Sequence, residues 1–194
     1  MSLKVTFELA DTDLDHFRRV MRKAREVAKD LGAEQVMAAA EGLLVRIKTT
    51  EIPEFIRDRL ERIKTLTEMV RDPEWNLPEA DKSRVLNSLA YFCQPDDLIP
   101  DDVPGLGFLD DAIMVELVVR ELRHEIEAYE DFCAYRAQRD ADGDHGEDPV
   151  TREEWLTARR KALQSRMRNR RKRERERRAS ASSSGSGRSP FRLF

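Results

Sequence analysis

The sequence predicts a mainly α-helical protein, a bundle of about five helices built around a central helix–loop–helix hairpin. Apolar residues recur at three- and four-residue steps over most of residues 1–140, which indicates amphipathic helices. Proline and glycine stand at the boundaries of these stretches. Of the 194 residues, 40% are hydrophobic and 38% are charged, against about a quarter charged in an average protein. This excess of charge is typical of helices whose outer faces lie in water.

The first elements are a short strand and two helices. Residues 3–9 alternate apolar and polar, as a strand would, and such a strand pairs with a second copy or stays an extended arm. Asp11 or Thr12 is predicted to cap the first helix, which ends at Gly32. Residues 33–48 are predicted to be helical, although 43–47 also fit a strand.

Prolines define the next two helices. Pro53 suits the first position of a helix that ends before Asp72 and Pro73. Trp75 and Leu77 are then predicted to anchor the following loop onto the core. Pro78 opens the first helix of the hairpin, which spans about 79–93.

The second helix of the hairpin, about 108–139, is the longest one predicted. Its apolar residues alternate between four- and three-residue steps, as in a coiled-coil seam. The seam residues are Val115, Val119, Leu122, Ile126, Tyr129 and Cys133. Such a helix packs along a neighbour, either in the same subunit or in another one. The second alternative predicts a homo-oligomer that forms through residues 108–139.

The loop of the hairpin combines three prolines with three Asp–Asp pairs, at 96–97, 101–102 and 110–111. Asp side chains in turns bond to backbone amides, and Asp in a first helical turn is favoured by the helix dipole. The alternative is a cation site, because Mg²⁺ and Ca²⁺ prefer oxygen ligands. Since Pro100 prevents these carboxylates from sharing one helix face, we expect turn and cap roles, with no metal and no cofactor.

Residues 85–120 resemble the YkvA-like family, a bacterial domain of unknown function. The resemblance rests on P-x-D-L-I-P-D followed by G-x-x-D-D, here Pro95, Asp96, Asp97, Leu98, Ile99, Pro100, Asp101, Gly107, Asp110 and Asp111. It implies a helix–loop–helix element and no particular activity. Members whose segment is more apolar are read as membrane-associated, whereas this chain has Asp102 in the loop and Glu116 in the second helix.

Charge divides the chain into an acidic body and a basic tail. Residues 151–194 contain 15 Lys and Arg against 4 Glu, a formal charge of +11, which leaves −14 for residues 1–150 because the whole chain carries −3. We predict a helical domain at 1–140, an acidic linker at 141–150, a basic helix at 151–178 that begins with a capping box at Thr151, and a disordered Ser/Gly tail at 179–194.

The basic helix is the strongest indication of a binding partner in this sequence. Arginine makes bidentate contacts with phosphate, so the expected partner is a polyanion. Its candidate polyanion-binding residues are Arg159, Arg160, Lys161, Arg166, Arg168, Arg170, Arg171, Lys172, Arg173, Arg175, Arg177 and Arg178. Beyond Met167 no apolar residue is available for docking, so this part is expected to fray and to be free for a partner. The alternatives are a clasp on the acidic body and an inert tail.

Signals for catalysis and for membrane insertion are absent from the sequence. His16, His124 and His145 lie in separate charged segments and are expected at the surface, while Cys93 and Cys133 are expected to be reduced and half-buried. No apolar run approaches the length of about 18 residues that a spanning helix needs, and no signal peptide is visible.

The function predicted from the sequence is a non-enzymatic cytoplasmic interaction module whose basic tail binds RNA, the ribosome or another polyanion. The alternative is a peripheral membrane protein that uses the apolar central stretch together with the tail. A carboxylate–metal enzyme is a third alternative.

Overall fold

The computed structural model describes residues 8–93, 103, 107–141 and 149–183, and these residues contain helices and no strand. The mainly α-helical class is therefore confirmed. The helices are α1 (Asp11–Ala28), α2 (Ala33–Thr49), α3 (Glu54–Leu60), α4 (Arg62–Arg71), α5 (Glu79–Leu89) with a 3-10 turn at Ala90–Cys93, α6 (Leu109–Glu121), α7 (Arg123–Ala141) and α8 (Pro149–Ser183). The strand predicted at 3–9 lies outside the described residues except for its last two positions.

Each of the first two helices is capped by a side chain at its third helical position, which accepts a hydrogen bond from the backbone N–H of the residue before the helix. Ala10, and not Asp11 or Thr12, precedes α1, and its backbone N–H donates to Asp13 Oδ2 at 2.8 Å. Gly32 immediately precedes α2 and does not end α1, and its N–H donates to Gln35 Oε1 at 2.8 Å. Both predicted boundaries were wrong because a side chain at the third helical position satisfies the free backbone donor equally well.

Two long predicted helices are each divided at one residue. Glu61 separates α3 from α4, and Leu122 separates α6 from α7. The backbone hydrogen bonds continue through Leu122, whose N–H donates to Val118 O at 2.9 Å while its carbonyl accepts from Ile126 N–H at 3.0 Å. Each of the two pairs therefore corresponds to one continuous helix of the sequence prediction, interrupted at a single residue.

The last helix is longer than predicted. It begins at Pro149, because proline suits the first helical position, so the predicted capping box at Thr151 is wrong. It extends to Ser183. Since α7 continues to Ala141, residues 142–148 connect α7 and α8, and they lie outside the described part of the chain.

The core is a continuous apolar cluster to which α1 to α8 all contribute. Trp75 is fully buried, with its ring 5.2 Å from that of Phe132 and 5.8 Å from that of Tyr129 on α7. Leu77 is also buried. The prediction that these two loop residues anchor the α4–α5 connection is confirmed.

The seam of the long helix has neighbours within its own chain. Val115, Leu122, Ile126 and Tyr129 are buried, and α7 packs against α4 and α8 of the same molecule. The seam therefore needs no second copy for its burial. Self-association through 108–139 stays a prediction.

The burial of Trp75 predicts a large mutational effect. Trp75→Ala should lower the free energy of unfolding by about 4 kcal/mol, because it removes a large side chain and leaves a cavity against two aromatic rings. Phe55→Ala is the control, since Phe55 is 57% exposed, and it should cost less than about 1 kcal/mol. Urea unfolding followed by circular dichroism measures both, and equal losses would contradict this packing.

Candidate functional site

The face of α8 that meets the body begins as an apolar stripe and continues as a charged one. Leu156, Leu163 and Met167 recur at helical spacing and are buried. The same stripe continues, at steps of four, three and four residues, through Arg171, Glu174 and Arg178. The charged half of α8 is therefore docked, and the prediction that the helix frays beyond Met167 is wrong.

Buried carboxylates receive the charged half of α8. Glu125 of α7 is 0% exposed, and its Oε1 accepts hydrogen bonds from Arg84 Nε at 3.0 Å and from Arg171 Nη1 at 2.7 Å. Arg171 Nη1 also donates to Asp81 Oδ1 at 2.6 Å, and Asp81 is buried as well. These four residues, which we name the charged seam, join α5, α7 and α8.

The charged seam is electrically balanced, with two carboxylates and two guanidinium groups. Taking charges out of water is costly, and only close pairing with hydrogen bonds offsets the cost. Burial acts to lower the pKa of Arg171, but the hydrogen bonds to Asp81 and Glu125 outweigh burial and raise this pKa above its ordinary value. The two carboxylates therefore favour the charged form of Arg171.

A second ion cluster lies further along α8, around Glu174. Its Oε2 lies 2.7 Å from His124 Nε2, and its Oε1 lies 2.8 Å from Arg123 Nη2 and also contacts Arg178. Beside it is a cavity of about 20 Å³, which is the size of one water molecule. This cavity is too small for a substrate.

The beginning of α8 is held by the α4–α5 loop. Arg152 Nη1 lies 2.5 Å from Glu74 Oε1, and Arg160 Nη1 donates to the Glu74 carbonyl at 3.0 Å. Gln164 Nε2 donates to the Trp75 carbonyl at 2.9 Å. The hydrogen bond from Arg152 lowers the pKa of Glu74, as does the bond from Arg136, and together they outweigh the opposing effect of burial. A groove of about 410 Å³ lies beside Glu74, and Arg152 and Arg160 also line it.

Most of the predicted polyanion-binding residues have partners on the body or on α8 itself. Arg160, Arg171 and Arg178 bind as described above, and Arg159 stacks on the Tyr135 ring at 4.9 Å. Four further pairs are Arg166–Asp131 at 2.6 Å, Arg168–Asp81 at 3.9 Å, Arg170–Glu127 at 2.7 Å and Lys172–Glu176 at 3.9 Å. Among the predicted residues that the structure describes, Lys161, Arg173, Arg175 and Arg177 have neither an ion pair nor a ring contact nor a side-chain hydrogen bond, and all four are exposed.

The motif residues are described only at the α6 end of the loop. The Gly107 N–H donates to Val103 O at 2.9 Å, and Asp110 and Asp111 are buried in the first turn of α6. Pro95, Asp96, Asp97, Leu98, Ile99, Pro100 and Asp101 lie outside the described residues. Within the ranges that the structure covers, no three His, Cys, Asp or Glu side chains gather as a metal site would require.

The histidine and cysteine predictions have different outcomes. His124 is buried beneath Glu174 and is not at the surface, because the docking of α8 covers it. His16 is half-buried, and His145 lies outside the described residues. Cys93 and Cys133 are half-buried free thiols, as expected, and burial raises the pKa of both.

Sequence reasoning missed the carboxylates of the site, namely Asp81, Glu125 and Glu174. A signal for Glu174 is present, because it lies in register with Leu163 and Met167 on a helix otherwise rich in arginine. Glu125 and Asp81 carry no comparable signal, since nothing in their own helices marks them as buried.

The charged seam predicts a difference between buried and exposed carboxylates. Glu125→Gln should lower the free energy of unfolding by about 3 kcal/mol, because it leaves two guanidinium groups partly buried with one fewer anion. Glu130→Gln removes an α7 carboxylate that is half exposed and pairs with Arg62 at 3.2 Å, and it should cost less than about 1 kcal/mol. Urea unfolding of both variants measures the two losses of stability. Equal losses would show that the charged seam contributes no more to stability than an exposed ion pair does.

The Glu174 cluster predicts a loss of stability in acid. Burial raises the pKa of Glu174, but the hydrogen bond from His124 and the charges of Arg178 and Arg123 outweigh burial, so the folded-state pKa lies below the ordinary value of 4.5. The contribution of Glu174 is therefore complete above that value and is lost as the pH falls from about 5 towards 3.

Glu174→Gln should flatten this part of the curve of unfolding free energy against pH. Glu176→Gln serves as the control, because Glu176 is exposed and lies 3.9 Å from Lys172. A Glu174→Gln curve parallel to that of the wild type between pH 5 and pH 3 would refute the assignment.

Comparison with known proteins places this site beside a shared element. The sequence profile of a family described as "Protein of unknown function (DUF1232)" matches residues 82–117, which include most of α5, the motif loop and most of α6. Arg84 of the charged seam lies within this match, whereas Glu125 and Arg171 lie beyond it. No solved structure matches the chain. Among the described helices, none is long and apolar enough to cross a membrane.

A curated relative supports the same relationship. The "Uncharacterized membrane protein YkvA" of Bacillus subtilis (strain 168) is 32% identical over 77 residues, which represent 37% of this chain and 71% of that protein. The resemblance predicted over residues 85–120 is confirmed by both comparisons. The chain therefore belongs to the YkvA-like family of proteins of unknown function.

Proposed function

We propose that this member of the YkvA-like family is a non-enzymatic interaction module that binds a polyanion such as RNA through the exposed basic residues of α8. The observation that carries the proposal lies at Lys172, Arg173, Arg175 and Arg177. These four side chains are exposed within six residues, and in the described part of the chain none of them pairs with a carboxylate of α1–α7. Such a group of cations attracts the phosphates of a polyanion.

The docked position of α8 supports this role. The charged seam and the Glu174 cluster keep the helix in place, so the exposed side chains are carried on a rigid element and not on a frayed one. Less conformational entropy is then lost when they bind a phosphate backbone. The acidic residues of the body that lie closest to α8 are already neutralised by Arg171, Arg166 and Arg170, which reduces their repulsion of an anion.

The cavities of the described residues favour binding over catalysis. One of them holds no more than a water molecule, and the charged residues Arg152 and Glu74 that line the other groove already pair with each other. Enzymes usually bury most of a substrate in a pocket with a few convergent polar groups.

The location we propose is the cytoplasm, where RNA and the ribosome are available.

The test is a variant that replaces all four exposed cations with glutamine, namely Lys172→Gln, Arg173→Gln, Arg175→Gln and Arg177→Gln. The wild type should bind a 20-nucleotide single-stranded RNA with an affinity that falls with salt at a log–log slope of about −3, because about four phosphates are neutralised. The variant should lose at least tenfold in affinity at low salt. Its melting temperature should stay within about 2 °C of the wild type, since surface charges contribute little to stability.

The matched control removes four exposed cations from α1, α2 and α4, namely Arg19→Gln, Arg22→Gln, Lys48→Gln and Lys64→Gln. Because it changes the net charge equally, it separates a local binding surface from a general charge effect. Equal losses in the two variants, or a wild type that ignores RNA at low salt, would refute the proposal.

An anionic membrane surface is the second candidate partner, because the Bacillus subtilis relative is named a membrane protein. The same cations of α8 would bind anionic headgroups, at about 1 kcal/mol for each residue near the surface. The apolar residues of the central stretch at 91–119 would add to this contact, although 94–102 and 104–106 lie outside the described residues. Flotation with vesicles containing phosphatidylserine, compared with neutral vesicles and with the RNA titration, distinguishes the two partners.

A further inference from the structure

Four arginines form a single row along one flank of α8. Arg166, Arg170, Arg173 and Arg177 are separated by four, three and four residues, so they share one side of the helix. At the helical rise the row is about 17 Å long. The flank lies beside the docked face, which places the row along the boundary between α8 and α7.

Carboxylates of α7 bind the first half of this row and not the second. Arg166 Nη2 lies 2.6 Å from Asp131 Oδ2, and Arg170 Nη1 lies 2.7 Å from Glu127 Oε2. The side chains of these two arginines and two carboxylates are 46–57% exposed. Asp131 and Glu127 are four residues apart on an antiparallel helix, so their spacing matches that of the two arginines.

The series of α7 carboxylates that pair with the row does not continue towards the beginning of α7. The next residue at the same spacing is Arg123, which binds Glu174 of α8. Arg173 and Arg177 therefore face no carboxylate of α7 among the described residues. The row has two arginines that are paired and two that are open.

We infer that the complete row is the surface that binds the phosphate backbone of a single-stranded nucleic acid, and that Glu127 and Asp131 occupy two of its phosphate positions until the nucleic acid displaces them. This inference rests on the proposed function and extends it, because it makes α7 a determinant of affinity. Exposed pairs of this kind contribute little to stability, so phosphates can replace them without undocking α8. The buried pairs of Arg171 with Glu125 and Asp81 stay in place.

The test removes the two screening carboxylates with the double variant Glu127→Gln, Asp131→Asn. Binding of a 20-nucleotide oligouridine should become three- to tenfold tighter, because its phosphates no longer compete with the two carboxylates for Arg166 and Arg170. Adding Arg166→Gln and Arg170→Gln to this variant should remove the gain. The melting temperature should stay within about 2 °C of the wild type.

The control is the double variant Glu68→Gln, Glu130→Gln. Both residues are about half exposed and both pair with cations of α4, Glu68 with Lys64 and Glu130 with Arg62. The control therefore removes two exposed, paired carboxylates and the same net charge, but it releases no arginine of the row. Its effect on affinity measures the general contribution of net charge.

The outcomes separate the two proposals. A wild type that binds RNA while the test and control variants gain equally would overturn the inference and leave the proposed function standing. No binding by any of these proteins at low salt would overturn both. A wild type that binds measurably, together with a test variant that binds more tightly than the control variant, supports the inference. A selective gain on phosphatidylserine vesicles but not on oligouridine would overturn the nucleic-acid partner.

Discussion

The fully buried carboxylate of Glu125 is the constraint on which the arrangement of the last helices depends. A charge without water needs nearby cations, and α7 does not supply them itself. Arg84 comes from α5 and Arg171 from α8, and both donate to Glu125 Oε1. The three helices are thereby joined at one atom, although their residues are 41 and 46 positions apart in the sequence.

The ion pairs also define the register of α8. A purely apolar stripe of Leu163 and Met167 would tolerate a slide of one turn along α7. A slide in one direction would place Met167 against Glu125 and leave its charge with one cation fewer. A slide in the other direction would bring Arg178 against Arg123 in place of Glu174, which puts like charges together. The alternation of sign along the stripe therefore selects one register, and breaking a buried pair costs more than losing an exposed one.

The sequence predicts the elements that depend on local chemistry. Helical periodicity and the positions of Pro53, Pro78 and Asp72–Pro73 locate the helices, because proline and capping act within a few residues. Trp75 could be identified as a core residue since a large aromatic group in a polar loop has few other uses. The predicted boundaries failed at Ala10, Gly32 and Pro149, where neighbouring residues compete for the same role.

The docking of α8 could not be predicted, because its cause lies in other helices. Residue type alone suggests that Arg171 and Arg178 belong in water, and only the positions of Asp81, Glu125 and Glu174 show otherwise. A sequence shows which residues share a face of a helix but not which face of another helix they meet. His124 was misplaced for the same reason, since it is buried only because Glu174 lies over it.

The ion pairs of α8 fall into two classes, and exposure separates their roles. The pairs of Glu125 and Asp81 are buried, so releasing them would leave charges without water, and they hold the helix. The pairs of Asp131 and Glu127 are about half exposed, so water or a phosphate oxygen can take the place of either carboxylate at little cost. A single basic helix is therefore a structural element, and in our proposal it is also a binding surface.

The extent of the family match sharpens this distinction. The shared stretch at 82–117 contributes Arg84 to the charged seam, while the arginine row and its screening carboxylates lie after it. The shared element thus provides a cation that a buried acid of α7 requires, and α7 in turn positions α8. The polyanion surface we propose consequently depends on residues beyond the shared stretch. A relative would have this surface only if it also carries an arginine-rich helix docked against an acidic one.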